Sequence, residues 1–349
     1  MSAARAVDLG IRIGTMTPGP MNAITDVPGV GVGHRTVIEG DDVRTGVTVV
    51  MPRDGAVAAD PVFAAPHRLN GNGEMTGLEW IRESGLLTSP IGLTNTHSVG
   101  TVHSVLVEHG IRVHPEQPWA LPVVAETWDG RLNDINGFHV RPEHVWDAID
   151  AVSRGPVEEG SVGGGTGMVS FGFKSGIGTA SRYAGEHIVG VLVQSNFGRR
   201  DRFTVEGVPV GRFLGPDLVP LPAAPQSDDE QGSIIVIGAT NAPLLPHQCA
   251  RVAQRIALGI GRLGGLGGNS SGDLFLFFAT GNHGADGLSM VPNDGLDDIF
   301  GAVVEATEEA VLNSMLASST MTGRDGVTVH ALPHDSVVEV LRRGWSPLV

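Results

Sequence analysis

Residues 187–197, HIVGVLVQSNF, make a run so nearly apolar that a strand built from it has no face to give to water. A chain carrying such a strand must cover its sheet on both sides, which demands a layered architecture. SIIVIGAT (233–240) and DLFLFFATG (273–281) read the same way, and ITDVPGVGVGH (24–34), GVTVVMP (46–52) and GMVSFGF (167–173) add Val-rich or Gly-bounded strands. Helical spacing covers Met75 to Ser84 and His97 to His109, the latter with Val99, Val102, Val105 and Leu106 on one face. Pro142 opens a short helix through HVWDAIDAV, and Pro246 opens another whose Val252, Ile256, Ile260 and Leu263 form one stripe. A last long helix, about Leu296 to Ala317, is expected to bury Ile299, Phe300, Val303, Val304, Val311 and Met315. These elements predict an α/β chain, taken as one domain over residues 1–349, with two sheets between two helical layers: a four-layer αββα sandwich. No repeat of 20–50 residues is visible.

Composition narrows the function. With 38 acids against 23 bases the formal charge is -15, which disfavours nucleic acid and anionic membranes, since phosphate binding needs clustered Lys and Arg. The lone Cys249 excludes intramolecular disulfides and a multi-cysteine zinc site, and is expected to pack as a small hydrophobe. The start of the chain lacks a basic region followed by an apolar core, and no stretch approaches 18 uncharged apolar residues, so a cytoplasmic, soluble protein is expected.

Three glycine clusters, at 29–34, 163–167 and 264–272, fit neither a Walker loop nor a dinucleotide fingerprint, the third lying between a helix and a strand in the reverse order. Among 13 histidines there is no HExxH. His97, His103 and His109, six apart, would be rotated away from each other on one helix, and a Pro lies between His139 and His144. Neither a metal nor a cofactor is expected. No GxSxG elbow occurs either.

What remains is a junction. LPAAPQSDDEQG (221–232) is the clearest break in composition and reads as an exposed loop, and Ser233 follows it at the start of a buried strand. A serine hydroxyl can attack the carbonyl before it if the backbone bends, and Gly232 tolerates that bend. Hydrolysis of the resulting ester would leave Ser233 as a new N-terminus, whose α-amine, with an ordinary pKa of roughly 7.7–8.0, can serve as base to its own hydroxyl. From the residues alone, a plain loop end is the stronger reading, since a Gly-Ser before a strand is common.

The ordered motifs decide in favour of chemistry. QGSIIVIGATNAPLLPHQ (231–248) and GNSSGDLFLFFATGN (268–282), with GEMTGLEWIRESG (73–85), LTNTHSVGTVHSV (93–105), ETWDGRLNDINGFHV (126–140), GGGTGM (163–168), KSGIGTASR (174–182), VGVLVQSNFGRR (189–200) and TMTGRDGVTVHALPHD (320–335), resemble the DmpA/β-aminopeptidase family of self-processing hydrolases. The resemblance runs over nearly the whole chain. It implies an αββα sandwich shared with ornithine acetyltransferase-like folds, cleavage into subunits 1–232 and 233–349 that stay together, and a homotetramer of such pairs. The activity it implies is that of a serine aminopeptidase and amidase of the N-terminal-nucleophile type, acting on small peptides, amides or esters.

By the same resemblance Ser233 is the nucleophile, Gly232 precedes the scissile bond, Asn196 donates its amide to the oxyanion, and Ser271 and Asp273 assist proton transfer. Their i, i+2 spacing puts Ser271 and Asp273 on one face of a strand. Glu126 is the carboxylate that receives the substrate's free amine, with Asp129 and Asp134 as nearby alternatives. Trp128 stands where the resemblance leads to a tyrosine. An indole N–H donates but cannot accept, and the ring is wider, so Trp128 implies either a narrower pocket for residues such as glycine or alanine, or a packing role. Acyl transfer and ω-amino-acid oligomer hydrolysis are alternatives on the same architecture, and a non-catalytic scaffold is an alternative of another kind.

Overall fold

The computed structural model describes residues 4–222, 232–284 and 287–344. Its first sheet holds β1 (Gly31–Glu39), β2 (Val43–Met51), β5 (Ile91–Asn95) and β6 (Val123–Thr127) in the order β1-β2-β5-β6. The second runs β4-β3-β12-β11-β10-β9, from β3 (Val62–Gly71), β4 (Leu86–Leu87), β9 (Ile177–Ala184), β10 (His187–Asn196), β11 (Ser233–Thr240) and β12 (Gly272–Ala279). A two-residue pair, β7 (Val169–Ser170) and β8 (Phe173–Lys174), stands apart. The helices are α1 (Leu78–Ser84), α2 (Val99–Val113), α3 (Pro142–Asp150), α4 (Val210–Phe213), α5 (Pro246–Arg262), α6 (Asp297–Leu316) and α7 (His334–Arg343).

Alternation along the strands sorts the core into layers. Ile235, Ile237 and Ala239 of β11 meet Leu93 and Ala125 of the first sheet between the two sheets, together with Leu274, Leu276 and Phe278 of β12. Ile234, Val236, Phe275 and Phe277 face the other way, against Val252, Ile256 and Ile260 of α5 and Val303 of α6. On the opposite outer face Val47, Val49 and Val124 pack under Val102 and Leu106 of α2 and Val145 of α3. The expected four layers are present. Cys249 is buried in the α5 layer, as expected of a small hydrophobe.

Several expected boundaries differ, each for a local reason. Residues 24–34 are not one strand: Ile24–Asp26 is a 3-10 turn, closed by Asp26 accepting from the N–H groups of Met21 and Ala23, and β1 begins only at Gly31. Residues 167–173 are broken into the β7–β8 hairpin at Phe171 and Gly172, both with positive φ. The helix expected from Met75 starts at Leu78, because Gly77 is left-handed and Met75 bridges to Ala125 instead. A 3-10 turn over Thr96–Ser98 precedes α2. On α6, Ile299, Val303, Val311 and Met315 are buried as expected, whereas Phe300 and Val304 are only partly so. Residues 223–231 of the expected exposed loop lie outside the described residues.

Topology brings particular strand ends together. Among the described residues two pairings are parallel, β5 with β6 and β11 with β12, and each has a crossover helix, α2 and α5 respectively. Parallel pairing sets the first residues of β11 and β12 side by side, Ser233 opposite Gly272. Antiparallel pairing sets the last residue of β10, Asn196, on the other side of Ser233. The last residues of β5 and β6 pair likewise, Thr94 with Glu126 and Asn95 with Thr127. No helix among the described residues is long and apolar enough to cross a membrane.

Candidate active site

A pocket of about 370 Å³ opens where these strand ends meet. Ser233, Gly232, Glu126 and Trp128 line it, with Asn72, Gly73, Glu74, Thr96 and Ser270. Four of the sequence-derived site residues therefore share one cavity. Asn196, Ser271 and Asp273 are not in its lining but are buried around Ser233.

Ser233 is 7% exposed, and its Oγ accepts from the Gly272 N–H at 3.2 Å. The same N–H lies 3.3 Å from the Gly232 carbonyl oxygen. One backbone donor is thus shared between the attacking oxygen and the carbonyl it would attack, a placement suited to a developing oxyanion. Asn196, opposite Ser233, has its side chain fixed at both ends: Oδ1 accepts from Val169 N–H at 2.9 Å and Nδ2 donates to the Trp128 carbonyl at 2.9 Å. An amide nitrogen carries two hydrogens, so a second donor remains, and cross-strand pairing sets the Asn196 and Ser233 side chains on one face of the sheet. Ser271 Oγ donates to Asp273 Oδ1 at 2.7 Å, in keeping with their i, i+2 spacing, and the pair flanks Gly272.

Glu126 is 3% exposed and well anchored. Oε1 accepts from the Glu74 N–H at 2.9 Å, and Oε2 accepts from the Thr96 hydroxyl. Burial raises its carboxyl above the ordinary range, partly offset by these two donors. The carboxylate is therefore held in the cavity wall, in want of a cation. Asp129 does not share this position: it is buried beneath, accepts from Asn95 and Asn133 at 3.1 and 3.0 Å, and is pushed up to about 6 by burial. Asp134 instead faces His139 at 3.1 Å. Neither lines the pocket. Trp128 keeps 36% of its surface exposed at the rim, while its backbone carbonyl orients Asn196.

Gly232 has a steric reason to be glycine. A Cβ there would fall 2.5 Å from the Asn196 carbonyl oxygen and 2.8 Å from Phe197 Cα, both backbone atoms that cannot step aside. Gly232→Ala is expected to displace the junction and slow any cleavage after it by about 10²-fold, as ~1 Å misplacements do. The fraction of uncut chain against time on a denaturing gel measures this.

Sequence reasoning assigned no role to Thr96, to the Asn72–Glu74 wall or to Gly272. The first two lie in the quoted motifs LTNTHSVGTVHSV and GEMTGLEWIRESG, or beside them, but their function comes from register across the sheets, which no local pattern carries. Among the described residues no group of three or more His, Cys, Asp or Glu side chains is placed to hold a metal ion.

With this geometry in view, comparison with known proteins is decisive. Residues 22–329 match peptidase family S58. The chain belongs to that family. It is 46% identical to the beta-peptidyl aminopeptidase BapA of Sphingosinicella microcystinivorans, over 97% of this chain and 92% of the relative. Among solved structures, a Burkholderia sp. beta-aminopeptidase superposes with a TM-score of 0.92 at 50% identity, covering 99% of this chain and all of the other. The L-aminopeptidase D-Ala-esterase/amidase of Ochrobactrum anthropi, described as a prototype for the serine aminopeptidases and a variant of the Ntn hydrolase fold, superposes with a TM-score of 0.88 at 43% identity, covering 97% and 98%. This S58 chain accordingly has the Ntn-hydrolase fold of those enzymes.

Proposed function

We propose that this S58 enzyme, an aminopeptidase and amidase, cuts itself between Gly232 and Ser233 and then removes N-terminal residues from short peptides, amides or esters through an acyl-enzyme on Ser233. One observation carries the reading: Ser233 Oγ and the anchored, buried Glu126 carboxylate open into the same cavity. A nucleophile beside an anion is the arrangement that a substrate with a free amine next to its scissile carbonyl requires.

In the uncut chain Ser233 Oγ attacks the Gly232 carbonyl, and the oxyanion is met by the Gly272 N–H. The C–N bond breaks, the Ser233 nitrogen takes the hydroxyl's proton, and water hydrolyses the ester to a Gly232 carboxylate. The freed α-amine of Ser233 then removes its own hydroxyl proton as the oxygen attacks a substrate carbonyl. Glu126 holds the substrate ammonium, Asn196 Nδ2 and Gly272 N–H meet the oxyanion, and Ser271 with Asp273 assists the proton on its way to the leaving amine. Water releases the acyl group. The exposed indole of Trp128 at the rim supports small N-terminal residues, and assembly of the cut pairs into a homotetramer belongs to the same reading, measured by light scattering.

Incubating the protein with alanine amide and β-alanine amide, each with and without an acceptor amine, tests the function. Free amino acid and ammonia mark hydrolysis, a new amide marks acyl transfer, and no product from either would sink the enzymatic reading.

Glu126→Gln keeps the shape and removes the charge. It is expected to raise KM for alanine amide by about 10- to 100-fold, as expected for a charge-assisted hydrogen bond worth roughly 1.5–3 kcal/mol. Ammonium binding needs Glu126 ionised, and burial raises its pKa. Protonation of the Ser233 amine, the base, already lowers kcat/KM on the acid side. Glu126 adds a second loss as pH drops through its raised value, so the fall steepens there. Glu126→Gln is expected to remove that steepening and leave the amine's limb.

A further inference from the structure

The β7–β8 hairpin has no place in the steps above, yet it contains a charged group buried without a counter-charge. Lys174 is fully buried, and its Nζ donates to the carbonyls of Met168 at 3.1 Å and Ser175 at 2.6 Å. Among the described residues it forms no ion pair. Burying an ammonium against neutral carbonyls is costly, and burial lowers Lys174 to about 7. A methionine of similar length would fill the space without that cost, so the two hydrogen bonds are what the lysine adds.

Those bonds tie the residue just before the hairpin to the residue just after it, reinforcing the Ser175 N–H to Met168 carbonyl bond at 3.1 Å. The hairpin is also strained at its tip, where Phe171 takes φ 51° so that its ring can stack on Phe203 at 4.8 Å. From this braced unit the Val169 N–H reaches the site and donates to Asn196 Oδ1. An asparagine amide can flip with almost no change of shape, and only the donor or acceptor character of its partners tells the two orientations apart. Val169 N–H is a donor and can pair only with the oxygen, and so turns Nδ2 toward the Trp128 carbonyl.

We infer that Lys174 is a positioning residue for the reaction at Ser233: by clamping the base of the hairpin it holds the Val169 N–H that fixes the orientation of the Asn196 amide. The inference rests on the reading of Ser233 as the nucleophile and Asn196 as an oxyanion donor.

A double-mutant cycle tests it, with Lys174→Met, Asn196→Ala and the double variant assayed on alanine amide. Lys174→Met is expected to lower kcat about tenfold with KM within about twofold, and to change kcat less than about twofold once Asn196 is already alanine. An equal loss in both backgrounds, or no loss in the parent, overturns the inference. If Lys174→Met gives no folded protein, Lys174→Leu, which likewise removes both donors, takes its place under the same criteria. A parent that does not turn over alanine amide counts against the aminopeptidase reading instead. The positioning role is then read from crystal structures of the lysine variant, where Asn196 Oδ1 turned away from Val169 N supports it and an unmoved amide overturns it.

Discussion

Ser233→Ala is expected to give a single chain of 349 residues where the parent gives two fragments, of 232 and 117 residues (349 minus 232). Intact mass under denaturing conditions reads the result. The expectation follows from the chemistry: without Oγ residue 233 has no hydroxyl to attack the Gly232 carbonyl, although Gly272 N–H remains 3.3 Å from its oxygen. Turnover is lost for two reasons at once. The variant lacks the nucleophile, and its position 233 remains an amide nitrogen in the chain, with no free amine to act as base. Removing a nucleophile of this kind costs about 10⁴-fold or more in kcat. A parent that stays uncut through prolonged incubation would end the processing mechanism and favour a scaffold that keeps the fold.

How much of this was legible beforehand depends on the range of the signal. The layers were legible because the apolar runs of 187–197, 233–240 and 273–281 have only one physical solution, a sheet covered on both faces. Helices α5 and α6 were legible from their stripes. The hairpin at 169–174 was not, since its turn depends on Phe171 being held with positive φ by a ring stack that lies distant in sequence. The site divides the same way. Ser233 was placed by a local change from loop to strand, and its partners Asn196, Ser271, Asp273 and Glu126 came only through family resemblance. Nothing in their own neighbourhoods says that β10, β11, β12 and β6 end at one place. That is a property of register and of two parallel pairings. The Thr96 and Glu74 contacts to Glu126 are further consequences of it, and so is the exclusion of Asp129, three residues further on and past the end of β6 but turned into the interior.

Asn196→Ala is the second large effect. Asn196 is held opposite Ser233, 7% exposed, with Oδ1 and one Nδ2 hydrogen already committed to Val169 and Trp128. The remaining hydrogen is therefore fixed in direction before substrate arrives, and such preorganised donors contribute most where water is excluded. Deleting one oxyanion donor costs about 10²–10³ in kcat, and because the ground-state carbonyl uses the donor less than the oxyanion does, KM for alanine amide should change little. The same variant should cut itself more nearly as the parent does. In the uncut chain the Gly232 carbonyl already faces the Gly272 N–H, a donor that Asn196→Ala leaves in place. Time courses of processing and steady-state kinetics on one preparation measure both quantities. A loss of self-cleavage as deep as the loss of turnover would show that both reactions depend on the asparagine, and would remove Gly272 as the principal donor in the first of them.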